Sequence, residues 1–95
     1  MLESVGRTQD GKTVVTGVYK FYETTGVPLD SILGILEERG MIPDWMAFIL
    51  EAIEAGMKTD RILSMLEPAI ADSYGSGMRI EVIRRLRFLT APKSV

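Results

Sequence analysis

The side chains of this 95-residue chain that could do chemistry are carboxylates, lysines, arginines and tyrosines, because it contains neither cysteine nor histidine. The lack of cysteine excludes disulfides, thiol catalysis and cysteine-ligated metals. The lack of histidine removes the commonest general base and the commonest transition-metal ligand. No glycine-rich phosphate loop or acidic calcium loop occurs in the sequence. The residue types therefore predict a protein without enzymatic activity, cofactor or metal ion.

One group of carboxylates has the spacing of a shared helical face, namely Asp44, Glu51 and Glu54. Neighbouring carboxylates can act as general acid and base or bind hard metal ions. Such roles require a cleft and a raised pKa, which the convex face of a helix does not supply. We interpret these three residues as a solvated surface.

The second group is a cluster of arginines around an aromatic ring: Arg84, Arg85, Arg87 and Phe88. Residues 78–95 hold five basic residues and one acidic residue, whereas residues 1–77 hold six basic and twelve acidic ones. Arginine and aromatic residues are enriched at protein interfaces, but they can also grip nucleic acid. A third interpretation is a cationic helix end that complements its own dipole and pairs with the acidic remainder.

The leading hypothesis is a surface that binds a protein partner or a second copy of the chain. Its candidate residues are Arg84, Arg87, Phe88 and, if one edge of its ring is exposed, Trp45. The chain is 46% hydrophobic with a mean hydropathy of +0.15. A domain this small has a large surface, so part of its apolar area is available for a homodimer or an adaptor interface.

The alternative hypothesis is a helix-turn-helix DNA-binding regulator. Ala52, Gly56 and Ile62 have the spacing of the small, turn and branched apolar residues of that motif. The exposed face would also carry Asp60 and Glu67, which repel phosphates. The DNA-binding residues under this alternative would be Thr59, Arg61, Ser64, Arg84 and Arg87.

Apolar periodicity and helix-ending glycines predict the elements that must position these residues. We expect helices at residues 13–25, 28–39, 43–55 and 59–74, with a kink or break at Pro68, and a basic helix at about 78–89. The β-branched residues Val14, Val15 and Thr16 weaken the first helix. An extended conformation over residues 12–22 is the competing interpretation, disfavoured because no second strand is evident.

An internal repeat sets the predicted architecture. The segment DSILGILE at residues 30–37 recurs as DRILSMLE at residues 60–67, with Gly26 and Gly56 four residues before each copy. The repeat predicts an all-α fold, in which two helix-turn-helix-like αα-hairpins pack together and the basic helix closes the bundle. We expect one domain at residues 13–90, with flexible tails at 1–12 and 91–95.

The longest apolar run, Trp45–Leu50, has six residues, far fewer than the ~20 that cross a bilayer. The first residues also lack the apolar core of a signal peptide. We therefore expect a cytoplasmic protein that does not bind membranes.

Overall fold

The computed structural model describes residues 2–74 and 76–90, without the side chains of 71–73, 76, 79, 86, 89 and 90. Over these ranges the chain forms five helices and three strands. They are β1 (Glu3–Arg7), β2 (Thr13–Thr16), α1 (Val18–Thr25), α2 (Leu29–Glu38), β3 (Met41–Pro43), α3 (Trp45–Glu54), α4 (Thr59–Ser73) and α5 (Ser76–Thr90). The all-α prediction is therefore wrong, because a mixed sheet accompanies the helices. The predicted tail at 91–95 lies outside the described residues.

The sheet has the strand order β1-β2-β3. β1 and β2 are antiparallel, and the turn between them is closed by Thr8 N–H, which donates to the Lys12 carbonyl at 2.8 Å. Gly11 supplies the positive φ of +90° in this turn. β1 lies in the segment that the sequence predicted to be a flexible tail, and the Asp-Gly pair at positions 10 and 11 is the turn signal that could have revealed it.

The parallel pairing of β2 with β3 explains why the first helix does not begin at Thr13. Thr13 lies opposite Met41 in this ladder. The Thr13 N–H donates to the Gly40 carbonyl at 2.9 Å, and the Asp44 N–H donates to the Val15 carbonyl at 2.8 Å. Gly17, with a φ of +85°, then separates β2 from α1. The β-branched residues of β2 are therefore extended, and the disfavoured interpretation was correct for them.

The repeat is a strand followed by two helices, so β2-α1-α2 corresponds to β3-α3-α4. The larger helix contacts join equivalent helices, α1 with α3 and α2 with α4, and α5 packs against α3 and α4. The predicted packing of each αα-hairpin is wrong, because the two helices of a hairpin pack mainly against the helices of the other sequence repeat and less against each other. Packing equivalent helices against each other buries the apolar faces of both repeats at once.

The core lies between the sheet, α1–α4 and the first turns of α5. Its buried members include Val15, Val18, Tyr19, Leu33, Trp45, Phe48, Ile49, Ile62, Leu66, Ile70 and Val82. Helical spacing predicts that Leu63 of α4 is buried, but it is only half-buried. The same spacing predicts buried side chains at Leu86 and Leu89 of α5, which lie outside the described side chains. Pro68 does not end α4: it is exposed, and the helix continues through it to Ser73.

Candidate protein-interaction surface

α5 is held on the body of the protein by one face. Val82 is buried, and the Met78 sulfur accepts a hydrogen bond of 2.9 Å from Trp45 Nε1. These contacts fix α5 against the start of α3, and α5 also packs on α4. The position of α5 is therefore set by apolar packing, and the opposite side of the helix faces solvent.

Arg85 is paired within its own helix. Its Nη2 donates to Glu81 Oε1 at 2.9 Å, and its Nε donates to the same oxygen at 3.2 Å. The two residues are four positions apart, the spacing at which helical side chains meet. Arg85 is thus partly neutralised and contributes less to binding than the other two arginines of the predicted cluster.

The solvent-facing side of α5 carries a stripe of two apolar and two cationic residues: Ile80, Arg84, Arg87 and Phe88, hereafter the α5 stripe. Phe88 is 75% exposed and Ile80 is 56% exposed. Both arginines are also exposed. Spacings of three, four and seven or eight residues place the four on about 100° of the helix surface. Exposed apolar surface that is rimmed by charged residues marks interaction sites in many proteins.

The two arginines of the α5 stripe are free to bind. Arg85 and Glu81 form an ion pair, whereas neither Arg84 nor Arg87 pairs with a carboxylate among the residues that the structure describes. Both therefore keep their donors available for an external acceptor. The predicted pairing of this helix with the acidic remainder of the domain does not account for them.

Trp45 does not contribute to this surface. Only 5% of it is exposed, and its ring meets Phe48 and Tyr74 edge-on, with centroids 6.3 Å and 6.1 Å apart. Its indole N–H is already engaged by Met78. Trp45 is therefore a core residue that supports α5 from beneath.

Two residues of the DNA-binding alternative, Arg61 and Ser64 of α4, line an open depression of about 500 Å³. Arg61 and Ser64 are exposed in it, beside Lys58 and Asp60, whereas Thr59 is half-buried at the first turn. None of the α5 residues whose side chains the structure describes lines this depression. The structure thus brings Arg61 and Ser64 together, whereas Thr59 lies outside the lining of their depression and Arg84 and Arg87 lie on another helix.

The three predicted surface carboxylates have different environments. Asp44 caps α3, where its carboxylate accepts from Ala47 N–H at 3.2 Å. Glu54 is exposed, and Glu51 is half-buried with a shielded Oε1 that has no hydrogen-bond partner. Within residues 2–74 and 76–90, no group of three carboxylates is arranged to bind a metal ion.

The chain matches no known family model, and comparisons with curated proteins and with solved structures give no significant match. Function must therefore be argued from the surface itself. Among the described helices, none is both long enough and apolar enough to cross a bilayer.

The α5 stripe combines the two components of a binding surface, apolar area for burial and charge for orientation. Aromatic and arginine side chains dominate the binding energy of many interfaces. The sequence indicated Arg84, Arg87 and Phe88, but sequence reasoning missed Ile80. Its spacing of eight residues from Phe88 was the signal that could have found it, because such positions lie on the same helical face.

Proposed function

We propose that this chain is a non-enzymatic interaction module that binds an acidic, partly apolar protein segment through the α5 stripe. The observation that carries the proposal is the exposure of Phe88 beside Arg84 and Arg87, neither of which pairs with a described carboxylate, on a helix whose other face is packed. A rigid helix presenting one aromatic anchor loses little conformational entropy on binding. Affinity then comes from burial of Phe88 and Ile80, and specificity comes from the arginines.

The charge of the α5 stripe selects the chemistry of the partner. Arg84 and Arg87 would be left buried and unpaired by a neutral or basic surface, at a large cost in free energy. Carboxylates match the planar guanidinium fork with two hydrogen bonds. We therefore expect the bound segment to carry Asp or Glu beside at least one large apolar residue.

DNA is the other polyanion to consider, and the α4 surface does not favour it. Asp60 stands between Lys58 and Arg61 in the sequence of that surface, so the two cations leave a net charge of only about +1 there. Nonspecific DNA affinity depends on several cations that contact phosphates together. The arginines on α5 lie apart from the depression lined by Arg61 and therefore do not add to it.

A selection from a random peptide display library tests the proposal. The wild-type protein is the bait, and the Phe88→Ser variant removes peptides that bind elsewhere. We expect the surviving peptides to be acidic with a large apolar residue. Their affinity should fall about tenfold or more in Phe88→Ser and in the double variant Arg84→Glu/Arg87→Glu. Arg61→Ala is the matched control and should leave it unchanged.

If every peptide captured by the wild type also binds Phe88→Ser, so that none survives the subtraction, the proposal is contradicted. Retention on immobilised duplex DNA at low salt, lost in Arg61→Ala, would favour the helix-turn-helix alternative instead. The two outcomes are separable because Arg61 lies on α4 and Phe88 lies on α5.

A further inference from the structure

An apolar groove of about 440 Å³ runs between β1, β2 and the helices α1 and α2. Eight of its eleven lining residues are apolar, and the other three are Ser4, Thr13 and Arg39. Small-molecule sites in proteins have volumes of about 300–1,000 Å³ and are mainly apolar, with a few polar groups that orient the ligand. The groove therefore has the size and the composition of such a site.

The core of the protein fixes the floor of this groove. Val15, Ile32 and Leu36 line it and are buried. Leu2, half-buried against the core, forms one wall together with Ser4. These two residues are alternate positions at the start of β1 and therefore point to the same face of the sheet. The groove is thus shaped by packing that the fold already requires, so a ligand meets a preformed site and orders little of the chain.

The two ends of the groove differ in polarity. Thr13 and Met41 lie opposite each other in the β2–β3 ladder, and Arg39 is two residues before Met41. These three residues mark one end, which holds a hydroxyl and a guanidinium group. Ile32 lies seven residues before Arg39, about 10 Å away along the helix axis, and Val27 precedes the start of α2. The groove is therefore amphipathic, with the guanidinium at the Arg39 end and apolar side chains at the Val27 end.

Arg39 is available to bind an anion. It is exposed and pairs with no carboxylate among the residues that the structure describes. The carbonyls at the end of α2 do not need its donors, because Arg39 N–H donates to the Ile35 carbonyl at 3.2 Å and Gly40 N–H donates to the Glu37 carbonyl at 3.1 Å. None of the described carboxylates lines the groove, so none competes there for the guanidinium. A lone arginine beside apolar surface matches a carboxylate, whose two oxygens fit the guanidinium fork.

We propose that this groove binds a medium-chain alkyl carboxylate, such as octanoate or decanoate. The carboxylate binds Arg39, and the alkyl chain lies over Ile32 and Leu36 toward Val27. One cation balances the single charge of a carboxylate, whereas a phosphate monoester brings a charge of about −1.5 to −2 and would remain partly unpaired. The inference does not depend on the proposed function, since none of the α5 residues with described side chains lines the groove.

Isothermal titration calorimetry with a series of alkyl carboxylates, each kept below the concentration at which it forms micelles, tests the proposal. We expect octanoate to bind with a dissociation constant of about 0.1–1 mM. Each further CH₂ buried in the groove should raise the affinity about fourfold between hexanoate and octanoate. The increase should stop once the chain is longer than the groove. A constant affinity across the series would overturn the proposal, because the chain would then lie outside the apolar groove.

Octanamide tests the role of Arg39, because it has the same chain with a neutral head. We expect the wild type to prefer octanoate over octanamide about tenfold. Arg39→Gln should remove this preference by weakening octanoate while leaving octanamide unchanged. Arg61→Gln, which neutralises an exposed arginine on α4, is the matched control and should keep the preference. An unchanged preference in Arg39→Gln would overturn the proposal, because the head group would then bind elsewhere.

Ser4→Trp tests the location of the alkyl chain. Ser4 is exposed on the wall of the groove, so the variant should keep the wild-type circular dichroism spectrum while its indole fills the groove and abolishes binding of both ligands. Phe88→Ser should bind octanoate like the wild type, so a failure of this proposal is distinguishable from a failure of the α5 stripe. Octanoate binding that survives Ser4→Trp, or the absence of binding by both octanoate and decanoate at millimolar concentration, would overturn the proposal. A dimer that octanoate dissociates would also overturn it, since a second copy would then be the occupant of the groove.

Discussion

Phe48 shows how much of this small core depends on a single side chain. It is fully buried, and its ring packs edge-on against Tyr19 with centroids 5.4 Å apart. The ring of Trp45 also meets the Phe48 ring edge-on, with centroids 6.3 Å apart. Phe48 therefore connects α1 with the turn of α3 that supports α5.

Phe48→Ala should lower the free energy of unfolding by on the order of 3–5 kcal/mol, because the cavity adds to the lost transfer energy. Urea denaturation followed by circular dichroism measures the change. Leu50→Ala is the control on the same helix, since Leu50 is exposed, and it should cost less than about 1 kcal/mol. Equal effects of the two substitutions would contradict the assigned core face of α3.

Tyr74 joins the end of α4 to the sheet. Its hydroxyl donates to the Met41 carbonyl at 3.0 Å, and its ring meets Trp45 edge-on. Burial raises the pKa of Tyr74 well above the ordinary value of 10.0, and the charge of Glu37 raises it further. Burial also raises the pKa of Tyr19, and a hydrogen bond with Glu23 acts in the same direction.

These raised pKa values predict a loss of stability in alkaline solution. In the unfolded chain a tyrosine loses its proton at about pH 10, whereas the folded protein keeps Tyr74 neutral beyond that pH. The folded state then binds more protons than the unfolded state, so stability falls as pH rises above about 10. Tyr74→Phe should cost about 1 kcal/mol at neutral pH and make the alkaline decline shallower. Thermal unfolding measured from pH 7 to 11 checks both, and an unchanged alkaline slope would contradict the assignment.

Gly56 and Gly34 have different roles, since Gly56 ends a helix and Gly34 lies inside one. Gly56 has a φ of +92° and ends α3 in a Schellman motif, in which Gly56 N–H donates to Ile53 and Met57 N–H donates to Ala52. Gly34 lies inside α2, and a Cβ added there would meet no atom within 4 Å. Gly34 therefore does not serve close packing against another helix.

Gly34→Ala should raise the free energy of unfolding by about 0.5–1 kcal/mol, because alanine favours the helix and restricts the unfolded chain. Gly56→Ala should lower it by about 1–2 kcal/mol, because an L-residue is strained at positive φ. The two variants add the same methyl group and serve as controls for each other in denaturant titrations. Changes of the same sign would show that the ends of α2 and α3 are misplaced.

The elements differ in how far sequence could predict them. Helices α2 and α3 follow from local signals, namely a proline near the first turn, an apolar stripe and a terminal glycine, and the structure places them within two residues of the prediction. The strands depend on partners distant in sequence. β2 pairs with β3, whose Met41–Pro43 is too short to show a periodic pattern. The helical spacing of Arg84, Arg87 and Phe88 was enough to predict that they share a face of α5. The burial of Trp45 was not predictable in this way, because it depends on Met78, thirty-three residues later.

At the scale of the whole molecule, the two strand-helix-helix copies form one cooperative unit. β2 and β3 share a ladder, α1 packs on α3, and α2 packs on α4. Leu33 of α2 and Leu66 of α4 are fully buried, and the contact between these two helices is the most extensive helix contact among the described residues. Each copy therefore leaves its apolar face exposed when it stands alone, as single repeats of repeat proteins do.

This interdependence predicts that neither half folds alone. Fragments 1–40 and 41–95 should each show a weak helical circular dichroism signal and no cooperative thermal transition, because each lacks the surface that buries its helices. Mixing them in equal amounts should restore the helical signal, since the break between Gly40 and Met41 leaves every described element intact. A mixture in which the second fragment carries Leu66→Asp is the control and should fail to recover, because that substitution buries a charge between α2 and α4. A cooperative transition in fragment 41–95 alone would mean that the second copy and α5 form an independent domain.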